Sequence, residues 1–184
     1  MTTPDELLAT LPQTICGQVK TLLPELRECE PHEGKYSLEE LKKDGLPSPA
    51  VKISILGAKQ DKTFAASPAT FMLKMAAYVV TRDGLGKPRD VRAANICQVL
   101  MTLIPGQRWG LNGLGDARDA EVHCLVSTKV KSKGVSLWAL TWHQPISFHQ
   151  PALQTLGVEL YAGQAPYIGE DHLAQYEQIG GGDE

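Results

Sequence analysis

The sequence predicts an α+β fold: a mainly antiparallel four-stranded sheet with helices packed on one face, followed by a C-terminal arm. Three observations carry that expectation. Apolar residues recur at helical spacing near the N-terminus and again over residues 90–103. They alternate at strand spacing over residues 50–56, 69–81, 120–130 and 135–142. The last two of these strands flank a hairpin turn, Lys131-Ser132-Lys133-Gly134. The domain is expected over residues 1–148, with an extended arm and a disordered acidic tail over 149–184.

The first helix opens at Thr3-Pro4-Asp5-Glu6, where Thr3 suits the N-cap, Pro4 the first helical position and Glu6 the capping box. Leu7, Leu8, Leu11, Ile15, Val19, Leu22, Leu23 and Leu26 then form one apolar stripe. Pro12 and Gly17 interrupt it, which predicts a kink or two short helices. Residues 30–49 read as loop, with a second capping box at Ser37-Leu38-Glu39-Glu40 opening one or two turns. Val51, Ile53 and Ile55 share one face of the first strand. In the second, Phe71, Leu73, Met75 and Val79 alternate with Met72, Lys74, Tyr78 and Val80.

Asp90 is placed to cap a helix running to about Leu103, apolar around much of its circumference and therefore expected to be buried. Pro105-Gly106 stops it. A glycine-rich loop follows, with Gly106, Gly110, Gly113 and Gly115 around Arg108-Trp109. In the final strand Val135, Leu137, Ala139 and Thr141 face one side, and Trp138, Leu140 and Trp142 the other. Two apolar faces predict a central strand or one that docks on another subunit. After Phe148 the pattern weakens to one short strand candidate, Val158-Glu159-Leu160-Tyr161.

Composition bounds the function. At 184 residues, 42% hydrophobic and 21% charged, the chain has the makings of one globular core. No apolar run approaches the ~20 residues of a membrane helix, and the acidic N-terminus does not read as an export signal. Cys16, Cys29, Cys97 and Cys124 form neither a CxxC nor a zinc-finger spacing, so free, mostly buried thiols in a reducing cytosol are expected. Charge is segregated along the chain: residues 1–47 carry −4, residues 48–168 carry +6 and residues 169–184 carry −5. Such a layout suits head-to-tail contact between copies, or contact with nucleic acid.

Candidate chemistry is sparse. Gly84-x-Gly86 and Gly113-x-Gly115 are fragments of phosphate-binding motifs without the helix start that would hold phosphate. Histidines 32, 123, 143, 149 and 172 are scattered, and no HExxH or GxSxG occurs. Neither a catalytic residue, a cofactor nor a metal is expected. Surface recognition offers more. Arg108 beside Trp109 can stack on a base or anchor an interface. Lys129, Lys131 and Lys133 occupy alternate positions of the hairpin and make a basic tip, and Trp138 and Trp142 offer aromatic area on the two-faced strand.

Several segments together resemble a known family. They are Pro31-His32-Glu33-Gly34-Lys35-Tyr36, Glu39-Glu40-Leu41-Lys42, and Ser48-Pro49-Ala50-Val51-Lys52-Ile53. In the second half they are Ala76-Ala77-Tyr78-Val79-Val80, the 90–103 helix, Gln107-Arg108-Trp109-Gly110 and the strand 135–142. Over residues 30–148 this pattern resembles the Mu-like phage tail terminator (tail completion) proteins, departing from it by His32-Glu33 between Pro31 and Gly34. The resemblance implies a mixed sheet flanked by helices and a structural job without enzymatic activity. It implies a ring, typically of six copies, that caps the head-proximal end of the tail tube and stops its polymerisation. Its partners would be other copies of itself, the tail tube protein and the head–neck connector, with DNA passing transiently through the lumen and no membrane. Its place would be the virion, after assembly in the host cytoplasm. Another neck or head–tail joining protein, or a nucleic-acid-binding accessory protein using the basic centre, are the alternative expectations.

Overall fold

Among the described residues of the computed structural model, two helices lie on one side of a five-stranded mixed sheet, so the fold is α+β. The structure describes residues 6–37, 47–61, 69–83, 86, 88–125 and 134–148, together with the backbone of 161–162 and 177–178. The chain divides into two units, Met1–His149 and Gln150–Glu184.

In the first unit the elements are α1 (Leu7–Leu22), β1 (Glu28–Glu33), β2 (Ala50–Gln60), β3 (Ala69–Arg82), α2 (Arg89–Leu103), β4 (Arg118–Cys124) and β5 (Val135–Phe148). Across the sheet the strands run β1-β2-β3-β5-β4. All neighbours are antiparallel except β1 and β2, which are parallel. The sheet is mainly antiparallel as expected, while the four strands expected are corrected to five, with one parallel pair. The extra strand, Glu-Cys-Glu-Pro-His-Glu, lies largely within what reads as loop, because an edge strand guarded by acids and a proline has no alternating apolar signal. Only Cys29 on it is buried.

The helix-side core collects Val51 and Ile53 of β2, Leu73, Met75, Ala77 and Val79 of β3, and Leu140, Trp142 and Ile146 of β5. Onto them pack Leu11, Ile15 and Val19 of α1, and Ile96 and Leu100 of α2. The opposite sheet face carries a smaller cluster, with Tyr78 and Val80 of β3 against Val135, Leu137 and Ala139 of β5. Tyr36 packs against it, its ring 5.7 Å from Tyr78 and 5.0 Å from His32. So β5 is an interior, two-sided strand, as its residues suggest, with the helices on one face and Tyr36 packed against the cluster on the other.

The α1 helix runs unbroken through Pro12, which costs it one backbone hydrogen bond to Leu8 but lies in the buried stripe. Residues 1–5, and with them the Thr3 cap, are outside the described residues, as is the capping box at 38–40. The α2 helix begins at Arg89, and its start is held by Asp83, not Asp90. Asp83 accepts the Arg89 N–H at 3.2 Å and pairs with the guanidinium at 2.7 Å. This helix is not buried all round: Ala93, Ile96, Cys97 and Leu100 face the core, while Val91 and Met101 are exposed.

In the second unit a short antiparallel pair, β6 (Tyr161–Ala162) with β7 (Glu177–Gln178), is described. The strand expected over 158–161 meets it only at Tyr161. Residues 158–160 are outside the described residues, as are 180–184.

Candidate functional site

The residues singled out at Arg108 and Trp109 sit on the segment between α2 and β4, and that segment turns out to be fastened to the domain. Gly106 N–H donates to Ala117 O at 2.8 Å and Ala117 N–H to Gln107 O at 3.0 Å, closing its neck. Farther out, Gly115 N–H donates to Pro145 O at 2.9 Å and Ser147 N–H to Gly113 O at 2.8 Å, so residues 113–115 lie alongside the end of β5. The approach is close: a side chain on Gly115 would put its Cβ 2.9 Å from Pro145 Cβ. Gly113 has φ +87°, and a Cβ there would come 3.0 Å from Ser147 O.

Trp109 is only 2% exposed and belongs to the helix-side core. Its φ of 56° is rare for a residue with a side chain. Two interactions hold it: Gln18 Nε2 of α1 donates to Trp109 O at 3.0 Å, and the indole N–H donates to Gln144 Oε1 at 2.9 Å. Gln144 is fully buried and engaged on every side. Its oxygen also receives Trp142 Nε1 at 3.4 Å, and its nitrogen donates to Gly115 O at 2.6 Å and Gln107 O at 3.2 Å. One glutamine thus joins α2's exit loop, β5 and two tryptophans.

This corrects the reading of Trp109 as an interface anchor, since it presents no free face to a partner. Trp142, 1% exposed, is corrected for the same reason. Trp138 is half-buried, packs against the same core, and donates its N–H to Ser136 Oγ at 3.2 Å. Arg108 alone of this group is on the surface, where its Nε meets Asp116 Oδ1 at 2.6 Å. Their hydrogen bond raises the arginine's pKa and lowers the aspartate's, so the loop tip carries a paired charge. Lys129, Lys131 and Lys133 lie outside the described residues.

The signal that marks Gln144 is legible in retrospect. It is the one amide on the core face of β5, set among Trp138, Leu140, Trp142 and Ile146. A lone amide at a core position announces a satisfied network.

Of the titratable groups, Cys16 and Cys29 meet between α1 and β1. Their hydrogen bond raises Cys16, which keeps its proton, and lowers Cys29. Burial pushes the Cys97 thiol up to about 12, which makes it inert at neutral pH. His143 Nδ1 lies 3.4 Å from Asp119 Oδ2, and His123 Nε2 lies 3.3 Å from Glu121 Oε2. Both pairs are largely exposed, so they are surface ion pairs when the histidine is protonated. Among the described residues no group of three His, Cys, Asp or Glu side chains is arranged to hold a metal ion. No described helix is long and apolar enough to cross a membrane.

Comparison with family models and with curated proteins finds no match. A solved structure whose name states no function is similar over 82% of this chain and 100% of its own, at 14% identity and a TM-score of 0.49. That likeness is too slight to carry any argument about function.

Proposed function

We propose that this chain is a structural protein of a tailed bacteriophage, assembling head to tail into a ring, on the model of six copies, that caps the head-proximal end of the tail tube. The ring stops tube polymerisation and offers a surface for the head–neck connector. The observation that carries the reading is the segregation of charge, −4, +6 and −5 along the chain, in a sequence whose residues 30–148 resemble tail terminators. Contacts between an acidic and a basic patch join two different surfaces. They set register between copies, and they close a ring when the rotation per copy divides a full turn.

Two features of the domain agree with such a role. Its β1 edge presents Glu30 and Glu33 to solvent, with Glu28 and Glu30 paired to Lys52, so one border of the sheet is acidic. The aromatic group of His32, Tyr36 and Tyr78 sits where the resembling segments meet and fixes the turn at Gly34, whose carbonyl accepts Ser54 Oγ–H at 2.6 Å. Electron microscopy of particles made without this protein tests the reading. Tails of uncontrolled length support termination. Full heads without tails move the protein to a joining role, and normal particles remove it from the neck altogether.

A further inference from the structure

Two of the four thiols stand together where α1 meets the edge of the sheet. Cys16 lies on the buried stripe of α1 with Ile15 and Val19, and Cys29 is the one buried residue of β1. Both belong to the helix-side core, and their thiols share a hydrogen bond in which Cys16 donates. The turn between the two elements is anchored. Leu26 N–H donates to Leu23 O at 3.0 Å and Arg27 N–H to Pro49 O at 2.9 Å, with Leu23 and Leu26 buried. Cys29 is set further by its pairing in register with Val51 of β2. The backbone therefore fixes where each cysteine stands.

The surroundings favour negative charge on Cys29 rather than on Cys16. Lys20, one turn after Cys16 on α1, and Lys52 of β2 both lend Cys29 positive charge, against the opposing charge of Glu30. A thiolate is the nucleophile of sulfur chemistry, and a neighbouring thiol that still holds its proton can resolve what the thiolate forms. The other two cysteines are placed differently: Cys97 is buried in α2 and Cys124 is exposed on β4. We propose that Cys16 and Cys29 are a peroxide-oxidisable dithiol, a modification site that closes to a disulfide fastening α1 to β1 and reopens on reduction.

Hydrogen peroxide is the two-electron oxidant, and the step balances with it. The Cys29 thiolate attacks one peroxide oxygen, the O–O bond breaks, and the departing hydroxide takes a proton from solvent to leave as water. Cys29 is then a sulfenic acid. The Cys16 sulfur attacks Cys29 Sγ, the S–O bond breaks, and the hydroxyl leaves with the Cys16 proton as a second water. Two thiols and one peroxide have become one disulfide and two waters. Peroxide is small enough to reach a residue 7% exposed on an edge strand. The sulfurs close from hydrogen-bond contact to the ~2.05 Å of an S–S bond. The bridge encloses residues 17–28 and restrains the unfolded chain. None of this depends on the ring.

Limited peroxide treatment of the folded full chain, read by peptide mapping, tests it. Cys124→Ser takes the exposed thiol out of the reaction. Trypsin then places Cys16 and Cys29 on separate peptides, 1–20 and 28–35. The expected product links these two, is two hydrogens lighter than their sum, and comes apart in dithiothreitol. The oxidised chain should melt about 5–10 °C above the reduced one. In Cys16→Ala the resolving thiol is gone, so Cys29 should stop as a sulfenic acid that dimedone traps. Cys29→Ala should leave Cys16 a free thiol. Should either of these variants fail to fold, the peptide map of the Cys124→Ser chain decides alone. Both cysteines left as thiols, Cys29 carried to sulfinic acid beside an intact Cys16 thiol, a link from either one to Cys97, or an oxidised form that melts no higher would each overturn the proposal.

Discussion

Gln144 ties the α2–β4 loop to β5 and to two tryptophans. It satisfies the buried Trp109 indole and the half-buried Gly115 carbonyl. Gln144→Leu keeps the volume and removes the partners. Each orphaned buried group costs about 1–3 kcal/mol, so a loss of about 3 kcal/mol is expected for the pair. For a domain of this size that lowers the melting temperature by roughly 5–10 °C. A thermal melt of the variant that overlays the parent would show the network to be dispensable. The same network explains why Trp109 could not be placed from sequence. An aromatic beside an arginine in a glycine-rich loop looks like a surface anchor, and only the distant Gln18 and Gln144 reveal that the loop folds its tryptophan inward.

At the level of elements, alternation and helical spacing were readable wherever one face of an element is apolar. They identified both helices, and β2, β3 and β5 with the faces the structure assigns them, but Leu8 and Leu22 of the expected α1 stripe lie exposed. They failed at β1, whose three glutamates and proline hide a strand that pairs through its backbone. They also overstated the breaks in α1. Pro12 falls early, where it removes a single bond, and Gly17 sits on the exposed side with nothing within 4 Å of a Cβ placed on it. Gly17→Ala therefore gains helix propensity without a clash, about 0.8–1 kcal/mol, seen as a rise of about 2–4 °C in melting temperature. A fall would mean that the glycine is needed for close approach of another surface. Periodicity overcounted the burial of α2 as well, because Val91 and Met101 are apolar yet face outward.

For the whole domain, the strand order places β3 at the middle with β5 beside it, paired with each other along 14 residues and covered by the helices on one face. Amide hydrogen exchange should find their paired backbone the slowest in the chain, opening only with global unfolding, while β1 at the edge exchanges sooner. Equal protection of β1 and β3 would mean that the edge is covered in solution. The segregation of charge was visible in the sequence. Which residues of each helix face outward was not, since it depends on where each helix meets the sheet.

The close fit of Gly115 against Pro145 leaves a mark that outlasts this one molecule. A methyl gained at 115 meets the Cβ of residue 145, which every residue but glycine carries, so no ordinary exchange at 145 makes room for it. Descendants of a common ancestor should therefore keep glycine at 115 whatever stands at 145, and a homologue with a side chain at 115 marks where the path of this loop has diverged.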